Sequence, residues 1–301
     1  RVSALTSSPT GLAVPKQYCT FGQRRPMLRW ALDRAAAVVP SDRVVTVVAE
    51  EHRCFWETEL SDLPPENIIV QPANRGTAAG ILLPFLRVFL RRDPRARFLV
   101  LPSDHHVADE LVVREALLEA LHLPVQKGGR LVVLGMTPRD FDPEYGWILP
   151  SPTPGRPVRD VTGFVEKPDR QRARELVAAG ALLNTLTFVA DANPLLRIYE
   201  ESLPGLLHSF LSLPRDDNGQ EALKTSYRSL PAADFSRDVL ERSVHRLSVR
   251  PVPECGWSDL GTPARIEMFR RRDGRRGWPG PRPVPVATRS RSGAGASVCA
   301  H

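Results

Sequence analysis

Two aspartates and two lysines stand in contexts that suit phosphate chemistry. Asp104 follows the apolar run Phe98-Leu99-Val100-Leu101-Pro102, and Asp259 lies in the Gly-bounded segment Gly256-Trp257-Ser258-Asp259-Leu260-Gly261-Thr262, just ahead of a helical stretch. A carboxylate at the end of a strand is well placed for a divalent cation. Magnesium takes only one or two protein carboxylates and completes its octahedron with substrate phosphates and water. Taken singly, each Asp also suits a helix cap or a turn, and spacing alone does not bring the two together. The lysines are scarce: of 41 basic residues only Lys16, Lys127, Lys167 and Lys224 are lysine. Lys16 and Lys167 sit in compact polar settings, Val14-Pro15-Lys16-Gln17 and Val165-Glu166-Lys167-Pro168. An ammonium is a point charge that fits a single phosphate oxygen where a guanidinium fork does not, although two solvated surface lysines would read the same way.

A third candidate is Gln71-Pro72-Ala73-Asn74-Arg75-Gly76-Thr77-Ala78, which follows one apolar run and opens another. Its small residues let backbone approach a flat ligand, and a helix N-terminus favours anions; a simple strand-to-helix turn has the same composition. His105 and His106 are adjacent, which suits one metal ion poorly, and no third ligand stands at the usual spacing, so they read as loop residues. No G-x-S-x-G, Walker A or HExxH pattern occurs, and there is no catalytic triad to assemble.

The elements that must position these groups alternate. Helical spacing covers 26–39, and Arg43–Ala49 is a β-branched run suited to a buried strand. A strand at 67–70 precedes a helix at 77–91, a strand at 97–101 precedes a helix at 109–121, and a further strand follows at 130–135. Beyond Pro138, strands at 145–149, 158–165 and 184–189 surround a helix at 170–179, as an antiparallel addition would. Helices then dominate 193–240, before a strand at 247–249 and a helix at 263–272. The pattern predicts an α/β fold: a Rossmann-like, mostly parallel sheet with helices on both faces and an antiparallel insertion. In such sheets ligands sit beyond the carboxyl ends of the strands, where Asp104 and the 71–78 segment fall.

Composition sets the class. With 42% hydrophobic and 25% charged residues among 301, the chain can bury a sizeable core. No stretch reaches the ~18–20 apolar residues of a membrane span. From Arg270 onward eight arginines stand against Asp273 alone, which accounts for the whole net charge of +7. The basic character therefore belongs to a Pro-, Gly- and Ser-rich tail, expected to be disordered, and no nucleic-acid or membrane partner is expected. Domains are drawn at 1–270 and 271–301. Cys19, Cys54, Cys255 and Cys299 show no paired spacing and read as free thiols of a cytoplasmic protein.

In this order the motifs resemble the sugar-phosphate nucleotidyltransferases, the nucleotide-sugar pyrophosphorylases, and within them the mannose-1-phosphate guanylyltransferase branch. The resemblance covers about residues 1–270. Arg1 resembles the arginine that closes the family's Gly-rich nucleotide loop, and Pro15-Lys16-Gln17 follows. Residues 71–78 resemble the base-recognition segment, and Leu101-Pro102-Ser103-Asp104-His105 the metal aspartate. Tyr145-Gly146-Trp147-Ile148 and Phe164-Val165-Glu166-Lys167-Pro168 match the sugar-site strands, and Gly256–Pro263 carries the second aspartate.

The resemblance implies transfer of a nucleotidyl group from a nucleoside triphosphate, expected to be GTP, to a sugar-1-phosphate, expected to be mannose-1-phosphate. Pyrophosphate leaves and GDP-mannose forms, as a step in nucleotide-sugar biosynthesis. Asp104 and Asp259 would hold Mg2+. Arg1 and Lys16 would neutralise the triphosphate, and Lys167 the sugar phosphate. Gln71, Asn74, Gly76 and Thr77 would bind the nucleotide. Glu166, Asn184 and Gly146 would take the sugar, with Gly146 leaving room for it. A homo-oligomer fits the family. Three departures keep alternatives open. The family's Gly-rich loop and first strand lie ahead of Arg1, so the sheet is expected to lack that strand and the chain to have poor stability and weak or no activity. Leu183-Asn184-Thr185-Leu186 lacks the Trp and Gly that flank Asn in many relatives, and the order Asn74-Arg75-Gly76-Thr77 differs from the guanylyl branch. The alternatives are a thymidylyl- or uridylyltransferase acting on glucose-1-phosphate, or a truncated non-catalytic nucleotide-sugar-binding protein.

Overall fold

A computed structural model describes Thr6 and residues 13–91, 93–123, 129–153, 155–212 and 220–272. Arg1 and residues 273–301 of the expected tail, with Cys299, lie outside these, and the expected absence of a first strand concerns chain ahead of Arg1.

The most apolar strands form the centre. β4 (Leu131–Met136) is buried along its whole length, and β7 (Leu182–Asp191) along most of it. With β3 (Arg97–Val100), β5 (Gly146–Pro150), β6 (Arg159–Glu166) and β8 (Leu247–Val252) they make a six-stranded sheet in the order β3-β7-β4-β8-β6-β5, and β5 also pairs with β7. β1 (Thr46–Ala49) and β2 (Ile68–Gln71) form a separate parallel pair. The expected α/β class holds, and the expected sheet needs one correction. β3, β4, β5 and β8 run in one direction, but β7 and β6 run against them and lie between them. Within the large sheet only β4–β8 is therefore a parallel ladder, and the others are antiparallel. The sheet is mixed because β7 returns into its middle, between β3 and β4. A strand placed by sequence pattern alone carries no information about its neighbours.

Helices cover both faces. On one, α3 (Gly76–Arg91), α6 (Ala192–Ser202) and α7 (Pro204–Leu211) share a core with the sheet, in which Phe188 and Phe235 stack at 5.1 Å and the Tyr199 hydroxyl donates to the Ala78 carbonyl at 2.8 Å. On the other, α4 (Glu110–His122) and α5 (Arg170–Ala178) pack on Leu134, Trp147 and Val252. Each of these two helices starts at an aspartate that accepts backbone N–H groups, Asp109 from Leu111 and Val112, and Asp169 from Arg172. A third core joins β1, α1 (Met27–Ala36) and α2 (Arg53–Glu59) to Leu260 and to Ile266 of α9 (Pro263–Arg272). α8 (Gln220–Ser229) completes the described helices. None is long and apolar enough to cross a membrane. Cys19, Cys54 and Cys255 are free thiols.

Candidate active site

Asp104 and Asp259 are 155 positions apart, and backbone hydrogen bonds bring their segments together. After β3 the chain turns at Asp104, and His106 forms an isolated antiparallel bridge with Ser258, its two bonds 2.8 and 3.0 Å long. The N–H groups of Ala108 and Asp109 both donate to the Cys255 carbonyl, at 3.1 and 2.9 Å. Gly256, at φ +70°, passes so close to Ala108 that an added Cβ would lie 2.4 Å from the alanine methyl, so this clamp requires glycine. Leu260, 1% exposed, and Ile266 drive the next segment into the third core. Burying each contributes roughly 1.5–3 kcal/mol, which fixes the loop that carries Asp259.

Lys16 joins the two carboxylate segments. Its turn, Lys16–Tyr18, follows Pro15 and is anchored by buried Tyr18 and Cys19. The ammonium pairs with Asp104 Oδ2 at 2.7 Å and donates to the backbone carbonyl of Asp259. Asp259 Oδ1 accepts from the Gly261 N–H at 2.9 Å, from Arg265 Nη1 at 2.7 Å and from the Tyr145 hydroxyl at 3.3 Å. Burial works to raise the Asp259 pKa, but the Arg265 charge, the Gly261 N–H and the nearby His105 and Lys16 outweigh it and hold the carboxyl below its usual range. His105 is pushed down to about 4, chiefly by burial, so its ring is neutral near pH 7. It lies edge-on to Trp257 at 5.3 Å, its Nδ1 buried without a hydrogen bond.

This donor set suits a hard cation. Among the described residues no group of three or more His, Cys, Asp or Glu is placed to hold a metal. That argues against a closed protein cage of the zinc type. Two carboxylates, each with an oxygen to spare, fit an ion that completes its shell with phosphates and water.

The residues expected around the sugar also converge. Gly146 on β5 lies opposite Glu166 on β6. A Cβ on Gly146 would stand 2.4 Å from Glu166 Oε2 and 3.2 Å from the Asn184 Cβ, so the three share one recess. The Glu166 side chain, 7% exposed, takes a 2.9 Å bond from the Lys167 ammonium. Its pKa is raised by burial, with Lys167 pulling the other way. The Asn184 amide is tied down at both ends: Nδ2 donates to Ser236 Oγ and Oδ1 accepts from the Leu186 N–H, each at 3.0 Å. The Lys167 N–H donates to the Tyr145 carbonyl at 3.1 Å, so one hydrogen-bonded residue links this recess to Asp259. Lys167, Leu186 and Leu260 are non-glycine residues with positive φ, a strain that tends to accumulate at functional sites.

Side chains of the 71–78 segment bond within the protein. Gln71 Nε2 donates to the Tyr227 hydroxyl at 2.8 Å, Asn74 Oδ1 accepts the Gly76 N–H at 2.9 Å, and Thr77 Oγ1 accepts the Phe235 N–H at 2.7 Å. Gly76, at φ +81°, is pressed against the Ala233 carbonyl, which an added Cβ would meet at 2.2 Å. Its glycine is thus demanded by packing. Gly76→Ala is expected to lose about 3 kcal/mol, or roughly 10 °C in melting temperature, from left-handed strain and overpacking together. Thermal and urea melts would check it.

Sequence reasoning missed Arg265, Asp142, the Tyr145 hydroxyl, Ser236 and Tyr227. Arg265 lies in the helix expected at 263–272, where its sequence setting does not set it apart from the neighbouring arginines. Only its burial, at 10% side-chain exposure, distinguishes it.

The sequence pattern of the family described as Nucleotidyl transferase matches residues 8–271. The chain is 30% identical over 261 residues to a mannose-1-phosphate guanylyltransferase of Escherichia coli, covering 82% of this chain and 53% of that protein. It is 28% identical over 268 residues to the xanthan biosynthesis protein XanB of Xanthomonas campestris, covering 87% and 56%. The chain thus spans about half the length of these curated relatives. Among solved structures, one described as mannose-1-phosphate geranyltransferase from Thermus thermophilus superposes with a TM-score of 0.72 at 26% identity, covering 86% of this chain and 73% of that one. By the extent of these matches, the chain belongs to the nucleotidyl transferase family.

Proposed function

We propose that this chain transfers a guanylyl group from GTP to mannose-1-phosphate, releasing pyrophosphate and forming GDP-mannose. The observation that carries the reading is the joining of Lys16, Asp104 and Asp259 in one cluster, with Tyr145 linking it to the Gly146–Glu166–Lys167 recess. A phosphate oxygen of the sugar-1-phosphate attacks the α-phosphorus as the bond to the β-phosphate oxygen breaks and pyrophosphate leaves. No covalent protein intermediate is needed, so the protein contributes position and charge. Asp104 and Asp259 would hold Mg2+, which when bound neutralises phosphate charge. Lys16 offers its ammonium to the triphosphate, Lys167 to the sugar phosphate, and Glu166 accepts from sugar hydroxyls. Arg1 belongs to the reading but lies outside the described residues. The resemblance to mannose-1-phosphate guanylyltransferases supports this choice of base and sugar.

The test is pyrophosphate release with each nucleoside triphosphate, offered with mannose-1-phosphate or glucose-1-phosphate and magnesium. Release is expected with GTP and mannose-1-phosphate. Preference for dTTP or UTP with glucose-1-phosphate would move the reading to the other branch, and silence in every pairing would refute transfer by this chain.

A further inference from the structure

We propose that Arg265 is a positioning residue for the second carboxylate: it keeps Asp259 Oδ1 engaged with the protein so that Oδ2 is presented to a divalent cation. This rests on the reading of Asp104 and Asp259 as ligands of that cation. The guanidinium is held on three sides. Nη1 meets Asp259 Oδ1 at 2.7 Å, Nη2 meets Asp142 Oδ2 at 2.5 Å, and the guanidinium carbon lies 3.8 Å from the centre of the Tyr145 ring. With 10% of its side chain exposed, it has little freedom to leave. Asp259 Oδ1 is thereby saturated by Arg265, the Gly261 N–H and the Tyr145 hydroxyl, while Oδ2 takes no hydrogen bond among the described residues. A planar fork that bridges two carboxylates while stacked on a ring is a geometry that lysine cannot reproduce. The same Tyr145 accepts the Lys167 N–H through its carbonyl, so the grip on Asp259 also braces the turn that carries Lys167.

The role makes a prediction whose sign differs from bare electrostatics. A guanidinium beside a carboxylate repels an incoming cation, so if Arg265 acted only as a charge its removal would tighten metal binding. As a positioning group, its removal frees Asp259 to rotate, and groups that orient metal ligands typically account for 10–100-fold in affinity.

The experiment is Mn2+ binding, by electron paramagnetic resonance of the free ion, to the wild-type chain and to Asp259→Asn, Arg265→Met and Arg265→Lys, with a melting curve for each. Both Arg265 variants are expected to bind Mn2+ at least about tenfold more weakly. Lysine fails with methionine because it keeps the charge and loses the two-pronged grip. If the melt shows Arg265→Met to be unfolded, the Arg265→Lys variant decides. Affinity unchanged or tightened in a folded Arg265 variant, with Asp259→Asn impaired, overturns the positioning role alone. Wild-type affinity in Asp259→Asn, or no binding by the wild type, overturns the two-carboxylate reading and the role together.

Discussion

Replacing Asp104 with Asn is expected to slow pyrophosphate release about a hundred- to a thousandfold at saturating triphosphate, while leaving the chain folded. The magnitude is that of losing one pre-organised electrostatic group in a transition state whose charge is spread over phosphate oxygens. The fold survives because asparagine keeps an oxygen where Asp104 Oδ2 accepts the Lys16 ammonium at 2.7 Å. The change removes a charge and little shape. Two measurements separate chemistry from damage: the melting curve, expected near wild type, and the dependence of rate on magnesium, expected to shift to higher concentration. Chelation with EDTA should silence the wild type, and added magnesium should restore it. A rate in Asp104→Asn that matches the wild type across the magnesium titration would remove Asp104 from the cation site.

Local patterns made the elements legible. The β-branched run that ends in β1 and the apolar run of β4 both form strands, and the helix expected at 77–91 spans Gly76–Arg91 despite Pro84. Pairing was not legible. The antiparallel sense of 184–189 was expected, but nothing in Leu182–Asp191 says that this strand inserts between β3 and β4, and that insertion is what turns a mostly parallel expectation into a mixed sheet. Hydrophobic runs report burial on both faces and are silent about direction.

The site divides in the same way. Asp104, Asp259, Lys16, Gly146, Glu166, Lys167 and Asn184 were selected from the sequence by their settings and by family resemblance, and the structure gathers them into two linked groups. What holds them was hidden. The His106–Ser258 bridge consists of backbone bonds, to which side-chain identity gives no clue. Arg265 is one arginine among 37, and its importance lies in being buried between Asp142 and Asp259. Gln71, Asn74 and Thr77 of the expected nucleotide segment each also bond within the protein, to Tyr227, Gly76 and Phe235, partners that the sequence does not show.

Glu166→Gln is expected to make the protein more stable at neutral pH and much less active. Burial raises the Glu166 pKa above the ordinary value, against the opposing pull of Lys167. A carboxyl whose folded pKa lies above its unfolded value of about 4.3 binds more protons when folded. The stability it contributes is fully present below the unfolded pKa and is lost as pH rises through the folded one. Near pH 7 the ionised, 7% exposed side chain is therefore a net burden, which glutamine relieves at nearly constant shape. Lys167, 41% exposed, remains solvated without its partner. The variant should melt higher than wild type at pH 7, with the difference closing below about pH 4. Its kcat/KM for the sugar-1-phosphate should fall roughly 10- to 100-fold, the loss expected for one or two hydrogen bonds to a charged acceptor, with the triphosphate KM unchanged. A lower melting temperature at pH 7 would mean that the pair with Lys167 outweighs the burial of charge. Unchanged kcat/KM would mean that the recess formed by Gly146, Glu166 and Asn184 does not hold the sugar. Stability gained together with activity lost is the combination that assigns Glu166 to substrate rather than to the fold, because a residue kept only for packing would lose both.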